Sequence, residues 1–388
     1  MRNFKFSNPT EIFFGKGQIK VLANQIKKHG GSKILLTYGK ESIKKIGLYQ
    51  NVISILKENN FEIFELSNID PNPRITSVRE GGEICKKNNI DFVLAVGAGS
   101  VLDCSKAISA AAFYDGDPWD FAIGKAKIKK TIPLGTILTL AATGSEMNGG
   151  AVISNMETNE KLPIHADITK PKFSILDPEY TFSVPKTQTA AGIADIASHV
   201  FEQYFSLNND AYITDKVCEG ILKTLIKYGP VAINEPENYE ARANIMWAGT
   251  LALNGLLACG KITDWATHLI EHEVSAYYDL THGVGLAIIT PNWMKHVLDE
   301  SNFETFCNLG ENVFNFNQNP SIQTAELTIN KVREFFISLQ LPSTFKEVNV
   351  DNSKFELMAE HINKVFGEIG GFKKLNKSDI VGILRNSE

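Results

Sequence analysis

Cysteine is scarce in this chain. There are five in 388 residues (Cys85, Cys104, Cys218, Cys259 and Cys307), scattered and with no CxxC. That excludes a disulfide scaffold and a cysteine-built zinc site, and it fits free, mostly buried thiols in a reducing cytoplasm. No apolar run approaches the ~18 residues of a spanning helix, so no membrane segment is expected. The opening MRNFKFSNPTEIFF lacks an apolar core and a small-residue cleavage site, so no secretory signal is expected either. There is no basic stripe with interleaved aromatics, and the net charge is -5, which gives nucleic acid nothing to bind. Low-complexity tracts and repeats of solenoid period are also missing.

What is present is ordinary globular composition, 43% hydrophobic and 21% charged. A chain of 388 residues is long for one core, so two domains are expected. Short apolar runs fill the first part: KILLTY (33–38), FEIFEL (61–66), DFVLAVG (91–97), TIPLGTI (131–137), AVIS (151–154) and KFSIL (172–176). Amphipathic stretches separate the early ones. Strand–helix–strand alternation predicts a parallel sheet with crossover helices, which binds ligands at the carboxyl ends of its strands. After Pro185 the pattern turns helical, as in TQTAAGIADIASHVFEQYF and YEARANIMWAGTLALNGLLA. The expectation is an α/β Rossmann-like domain over 1–185 and an all-α domain over 186–388, meeting in a cleft.

VLAVGAGSVLDCSK reads as a strand, the turn Gly97-Ala98-Gly99-Ser100, then a helix. Glycines there let the backbone approach a pyrophosphate, and a helix N-terminus offers free N–H groups. Leu102 stands where a full G-x-G-x-x-G has its third glycine, so a plain tight turn is the alternative. Asp103 and Lys106 follow, either at the site or simply favouring the helix dipole and facing solvent. LTLAATGSEMN adds Thr139, Thr143, Ser145 and Asn148 after the next strand, where an N-cap is the plainer reading. TYGKES, at Tyr38 to Ser42, ends the first strand where an adenosine ribose sits in doubly wound sheets. Three strand ends converging on one ligand point to a dinucleotide.

The helical half holds Asp195 and His199 four apart in an apolar pattern, then DWATHLIEHEVSAYYDLTHG with His268, His272 and His282. A buried Asp–His pair alone is explained by a structural hydrogen bond. With three further histidines the set becomes a usual donor group for Zn(II) or Fe(II), and spacing leaves open which of the five bind. His268, Glu271 and His272 also spell H-x-x-E-H, a metallopeptidase signature. That reading, like a non-catalytic metal protein, gives the glycine-bearing α/β half no task. A dinucleotide with a divalent metal suggests hydride transfer to or from an alcohol carbon instead. His29, His165, His296 and His361 have no such neighbours.

Long ordered segments carry a resemblance: PTEIFFGKG, NIDPNPRIT, VLAVGAGSVLDCSK, ILTLAATGSEMN, VISNMETNEKL, FSILDPEYTFSVPKTQTAAGIADIASH, YEARANIMWAG and HEVSAYYDLTHGVGLAIITPNWM. Nearly end to end, the chain resembles the group III iron-containing alcohol dehydrogenases, and among them the NAD(P)H-dependent butanol dehydrogenases. The resemblance implies a dehydroquinate synthase-like fold and interconversion of short-to-medium primary alcohols and aldehydes. A glycerol- or polyol-type dehydrogenase of the same superfamily is the alternative. It further implies metal ligation by Asp195, His199, His268 and His282, with Fe(II) or Zn(II), and His272 near the substrate as the proton-transfer residue. The implied cofactor segments fall on Asn72, Gly97, Gly99, Ser100, Asp103, Thr139, Thr143, Asn148 and Lys161. Two departures stand out. The usual G-G-G-S is Gly97-Ala98-Gly99-Ser100, which works if Ala98 keeps a negative φ. Relatives read Y-G-G-G-S where this chain has Tyr38-Gly39-Lys40-Glu41-Ser42. Gly39, Lys40 and Ser42 then face the ribose; Glu41 would repel a 2′-phosphate or bind the 2′-OH of NAD, while Lys40 with Ser42 puts NADP ahead of NAD. A homodimer or larger homo-oligomer and a small-molecule alcohol or aldehyde complete the expectation.

Overall fold

Strands that are apolar on both faces belong inside a sheet covered on both sides. A computed structural model, describing residues 1–207 and 210–388, shows that sheet. Six parallel strands run in the order β1-β8-β5-β4-β2-β3. They are β1 (Glu11–Phe14), β2 (Lys33–Tyr38), β3 (Glu62–Leu66), β4 (Phe92–Gly97), β5 (Leu134–Leu138) and β8 (Phe173–Leu176). Alternate residues feed two cores. Leu35, Val93 and Ala95 pack on one face. Ile34, Leu36, Phe92, Leu94 and Val96 pack on the other.

Two expectations need correction. AVIS is not in this sheet: β6 (Gly150–Asn155) pairs antiparallel with β7 (Glu160–His165) as a separate two-stranded sheet. TIPLGTI forms a strand only from Leu134, since Pro133 has no N–H to give a ladder.

Chain order sets the ligand position. From β2 the chain steps outward to β3, then returns to place β4 on β2's other side. The crevice at such a switch point opens at the carboxyl ends of the two strands. Here those ends are Tyr38-Gly39 and Gly97-Ala98.

The residues cluster into two compact units. One comprises Ser7–Val184 with Glu237–Thr250, so most of the helix Tyr239–Ala252 goes with the sheet although its sequence periodicity had grouped it with the helical half. The other comprises Met1–Phe6, Pro185–Pro236 and Leu251–Glu388. Inside this helical unit, the helix Lys186–Tyr204 is buried along its whole length from Thr189. Its small-residue stretch AAGIADIA suits that position, because neighbouring helices come close. At Gly283, a Cβ would lie 1.9 Å from the Ala191 carbonyl oxygen, so only glycine allows this approach. The contact sets the start of the helix His282–Val297 beside the turn that carries Asp195.

Candidate metal centre and cofactor site

Asp195 and His199 lie one turn apart on the buried helix, so their side chains share a face. His268 and His272 occupy the helix Ala266–Tyr278 in the same relation, and His282 opens the next helix. Asp195 Oδ1 is the hub. It lies 3.6 Å from His199 Nε2, 3.8 Å from His268 Nε2 and 3.6 Å from His282 Nε2. Asp195, His199 and His268 are buried, and His282 is partly open to solvent. The His199 and His268 rings stack at 4.6 Å.

These four groups fit a divalent cation. Asp195 Oδ1 and His268 Nε2 are fully buried and have no hydrogen-bond partner among the described residues, an arrangement that is costly unless something else satisfies them. The ligand atoms of Asp195, His268 and His282 lie within 4.8 Å of one another. The local field is also made for positive charge. Burial pushes the Asp195 pKa up, but the three surrounding histidines, His199 first, outweigh it and hold the carboxyl below its ordinary range. Burial pushes His268 down, and Glu202 with Asp195 reverses that and lifts it to about 10. His199, buried and next to two other imidazoles, falls to about 3 despite Asp195.

His272 is also buried; its ring stands 5.4 Å from that of His282 and 6.5 Å from that of His268. Glu271, the glutamate of H-x-x-E-H, does not serve that pair. Its carboxylate bonds His282 Nδ1 and accepts the Ser275 hydroxyl. This geometry removes the base from the peptidase reading. Glu202 does the same for the other side, bonding His268 Nδ1 and accepting the Thr267 N–H at 2.5 Å. Sequence reasoning passed over Glu202 and saw Glu271 only as the glutamate of H-x-x-E-H. The available signal was a carboxylate inside an apolar run, at HVFEQYF and HLIEHEV.

In the α/β unit, Gly97 closes β4 and Gly99 opens the helix Gly99–Ala111, with Ser100 in its first turn. Ala98 between them has φ -82° and ψ 179°, extended backbone that alanine adopts freely. Thr139 N–H donates to the Gly97 carbonyl at 3.0 Å. Thr143 abuts Gly99, where a Cβ would meet Thr143 Oγ1 at 2.5 Å. Gly97, Gly99, Thr139 and Thr143 are thus brought together.

Asp103 and Asn148 are turned inward. Asp103 accepts Ser145 Oγ at 2.6 Å and Val152 N–H at 2.9 Å. Asn148 accepts Lys106 Nζ at 3.0 Å and Gly150 N–H at 2.9 Å, and donates to the Thr143 and Gly144 carbonyls. Both hold the 143–152 segment against the helix. Lys106 is fully buried rather than solvent-facing, and its Nζ also donates to Ser145 Oγ and the Gly150 carbonyl. Burial lowers its pKa to about 8. Lys161 is buried on β7, opposite Ser154.

After β2, the Gly39 carbonyl accepts the Asn68 N–H at 3.1 Å, and Asn72 bends the following segment with φ +50°. Lys40 Nζ lies 3.0 Å from Asp70, Glu41 pairs with Lys44 at 3.1 Å, and Ser42 begins a short helix, Ser42–Lys45.

Comparison with known proteins bears on the whole chain. Residues 9–178 match the family model "iron-containing alcohol dehydrogenase", and residues 189–387 match "Fe-containing alcohol dehydrogenase family, C-terminal". The NADH-dependent butanol dehydrogenase A of Clostridium acetobutylicum is 52% identical, with all of both chains covered. The NADPH-dependent aldehyde reductase YqhD of Escherichia coli is 40% identical over 94% of each. The crystal structure of NADH-dependent butanol dehydrogenase A from Thermotoga maritima superposes with a TM-score of 0.97 at 38% identity, covering 100% of this chain and 99% of that one.

Proposed function

This chain belongs to the iron-containing alcohol dehydrogenase family, and on that basis we propose which residues carry its chemistry. It is an NAD(P)-dependent enzyme that interconverts alcohols and aldehydes. Our reading is that Asp195, His199, His268 and His282 hold one divalent metal, Fe(II) or Zn(II). The observation that carries it is the convergence of three imidazole Nε2 atoms on the orphaned Asp195 Oδ1. When bound, the metal supplies a Lewis acid for the substrate oxygen and the nicotinamide supplies or accepts the hydride.

The protein groups do the rest. His272, beside the His282 ring, is placed to hold or pass the proton of the alcohol oxygen. The Gly97–Ser100 turn and the N-terminus of the helix Gly99–Ala111 receive the pyrophosphate on free N–H groups. Asp103 and Asn148 serve by holding the 143–152 segment against that helix, and Lys161, buried on β7, stays a proposed cofactor contact. The sheet unit, Ser7–Val184 with Glu237–Thr250, takes the dinucleotide, and the helical unit takes the metal. Relatives named for butanol support a short straight-chain aldehyde such as butanal over a polyol. The five buried thiols support a reducing cytoplasm. A homodimer or larger is proposed from family membership, and light scattering checks it.

At the ribose, we propose NAD in place of NADP. Lys40 is paired with Asp70 and Lys44 with Glu41, so both lysines after β2 already have a carboxylate partner in place of a 2′-phosphate. Names of relatives at 46–52% identity also point to NADH. The expected result is a higher kcat/KM with NADH than with NADPH. Asp70→Asn should raise the NADPH value about fivefold, the ~1 kcal/mol scale of an exposed ion pair. A chain that prefers NADPH outright sinks the assignment. For the metal, Asp195→Ala and His268→Ala should each lose bound metal and activity together, by elemental analysis and butanal reduction. Full metal content in either variant contradicts the ligand set.

A further inference from the structure

We propose that Glu202 and Glu271 are paired positioning residues that fix the tautomers of His268 and His282, so that both rings present a bare Nε2 toward Asp195. The inference rests on the metal reading above and goes beyond its ligand set. The H-x-x-E-H spelling casts Glu271 as a base for its own helix, whereas the fold turns it to the ring of His282 on the next one.

An ionised carboxylate only accepts hydrogen bonds. A carboxylate against Nδ1 therefore requires the proton on Nδ1, so when the ring is neutral it is the Nε2 lone pair that is exposed. Both histidines have this arrangement, and in both it is Nε2 that faces Asp195. Each carboxylate is itself held. Glu202 is fully buried and accepts the Thr267 N–H, which ties it to the first turn of the helix carrying His268. Glu271 is fully buried, accepts the Ser275 hydroxyl, and occupies space that Gly285 leaves free. A Cβ at Gly285 would lie 2.7 Å from Glu271 Cγ. His199 differs: its Nδ1 is buried with no partner among the described residues, and its ring is set by stacking on His268. The site thus has two carboxylate-backed imidazoles and one without such backing. Carboxylates behind metal-bound imidazoles orient the ring and raise its basicity, and losing one typically weakens metal binding about 10- to 100-fold.

Glu271→Gln is the direct test, because an amide can donate to Nδ1 and allow the tautomer that blocks Nε2 with a proton. Zn(II) affinity of the full chain is measured by competition with a chromophoric chelator, without substrate or cofactor. The expected result is a Kd about 10- to 100-fold weaker than wild type, with the melting temperature of the metal-free variant no lower. Ser275→Ala, which removes only the hydroxyl on Glu271, should weaken Zn(II) binding less. A Glu271→Gln Kd within about twofold of wild type, under 0.5 kcal/mol, overturns the proposal. A wild type that binds no Zn(II) overturns the metal reading instead, so the two failures are distinct. Zn(II)-loaded wild type gives a check that needs no variant. Assigned nitrogen-15 spectra should show Nδ1–H protons on both His268 and His282, slowly exchanging and shifted downfield by their carboxylate partners, distinct from the Nδ1–H of His361 on Glu273. Nδ1 atoms without protons overturn the proposal.

Discussion

Ala98 and Gly99 are neighbours with opposite tolerances. Ala98 sits in extended backbone at the cap of its helix, so Ala98→Gly should change stability by no more than about 0.5 kcal/mol in a denaturant melt. Gly99→Ala should not be neutral. Its new Cβ would collide with Thr143 Oγ1 and Cγ2 at 2.5 and 2.6 Å and force that side chain away. The expected effect is a KM for NADH raised about tenfold or more, since small displacements at a binding turn are costly. An unchanged KM would remove this turn from the cofactor site. The glycines and the histidines were readable because their types are rare enough to be informative. Glu202, Glu271 and Lys106 were not. Glutamate and lysine are usually on the surface, and only the tertiary neighbours reveal that these three are buried and paired.

At the scale of elements, strands with continuous apolar runs were legible, and KILLTY is observed without change as β2. β1 and β7 were missed. EIFF is four residues long on the sheet edge, and EKLPIH contains a proline that only an edge or a two-stranded sheet tolerates. The start of the helix Ala266–Tyr278 was legible only as a helix, not as a strained turn. Trp265 enters it with φ +77°, and its ring lies against His268 at 5.4 Å. Asp264 holds this turn by accepting the N–H groups of Ala266, Gly371 and Phe372. Burial, then Glu202, lifts its pKa from 3.8 to about 7 against those three bonds. The folded chain therefore keeps a proton that the unfolded chain releases. Asp264 contributes least to stability above its folded pKa, and its contribution falls as pH rises from about 4 to about 7. Melting temperatures of wild type and Asp264→Asn, compared across that window, should show the wild type losing ground as pH rises. A constant difference would mean that Asp264 stays ionised throughout.

Over the whole molecule, composition excluded much and identified nothing. No helix among the described residues is long and apolar enough to cross a membrane, in line with the sequence. The parallel sheet followed from alternation of patterns, because both faces of its strands must be buried. The proposed metal centre draws on positions from Asp195 to His282, and no local pattern encodes which histidines converge there. H-x-x-E-H illustrates this, since its spacing suggested a pair that the fold assigns to different partners. Long ordered segments supplied the family, and the geometry supplied the reason those residues fit a cation.

The most direct test is butanal-dependent oxidation of NADH by chelator-stripped protein, before and after Fe(II) or Zn(II) is returned. The account expects almost no turnover in the stripped protein and recovery with one of the two metals. Undiminished turnover in protein shown by elemental analysis to be metal-free would contradict it.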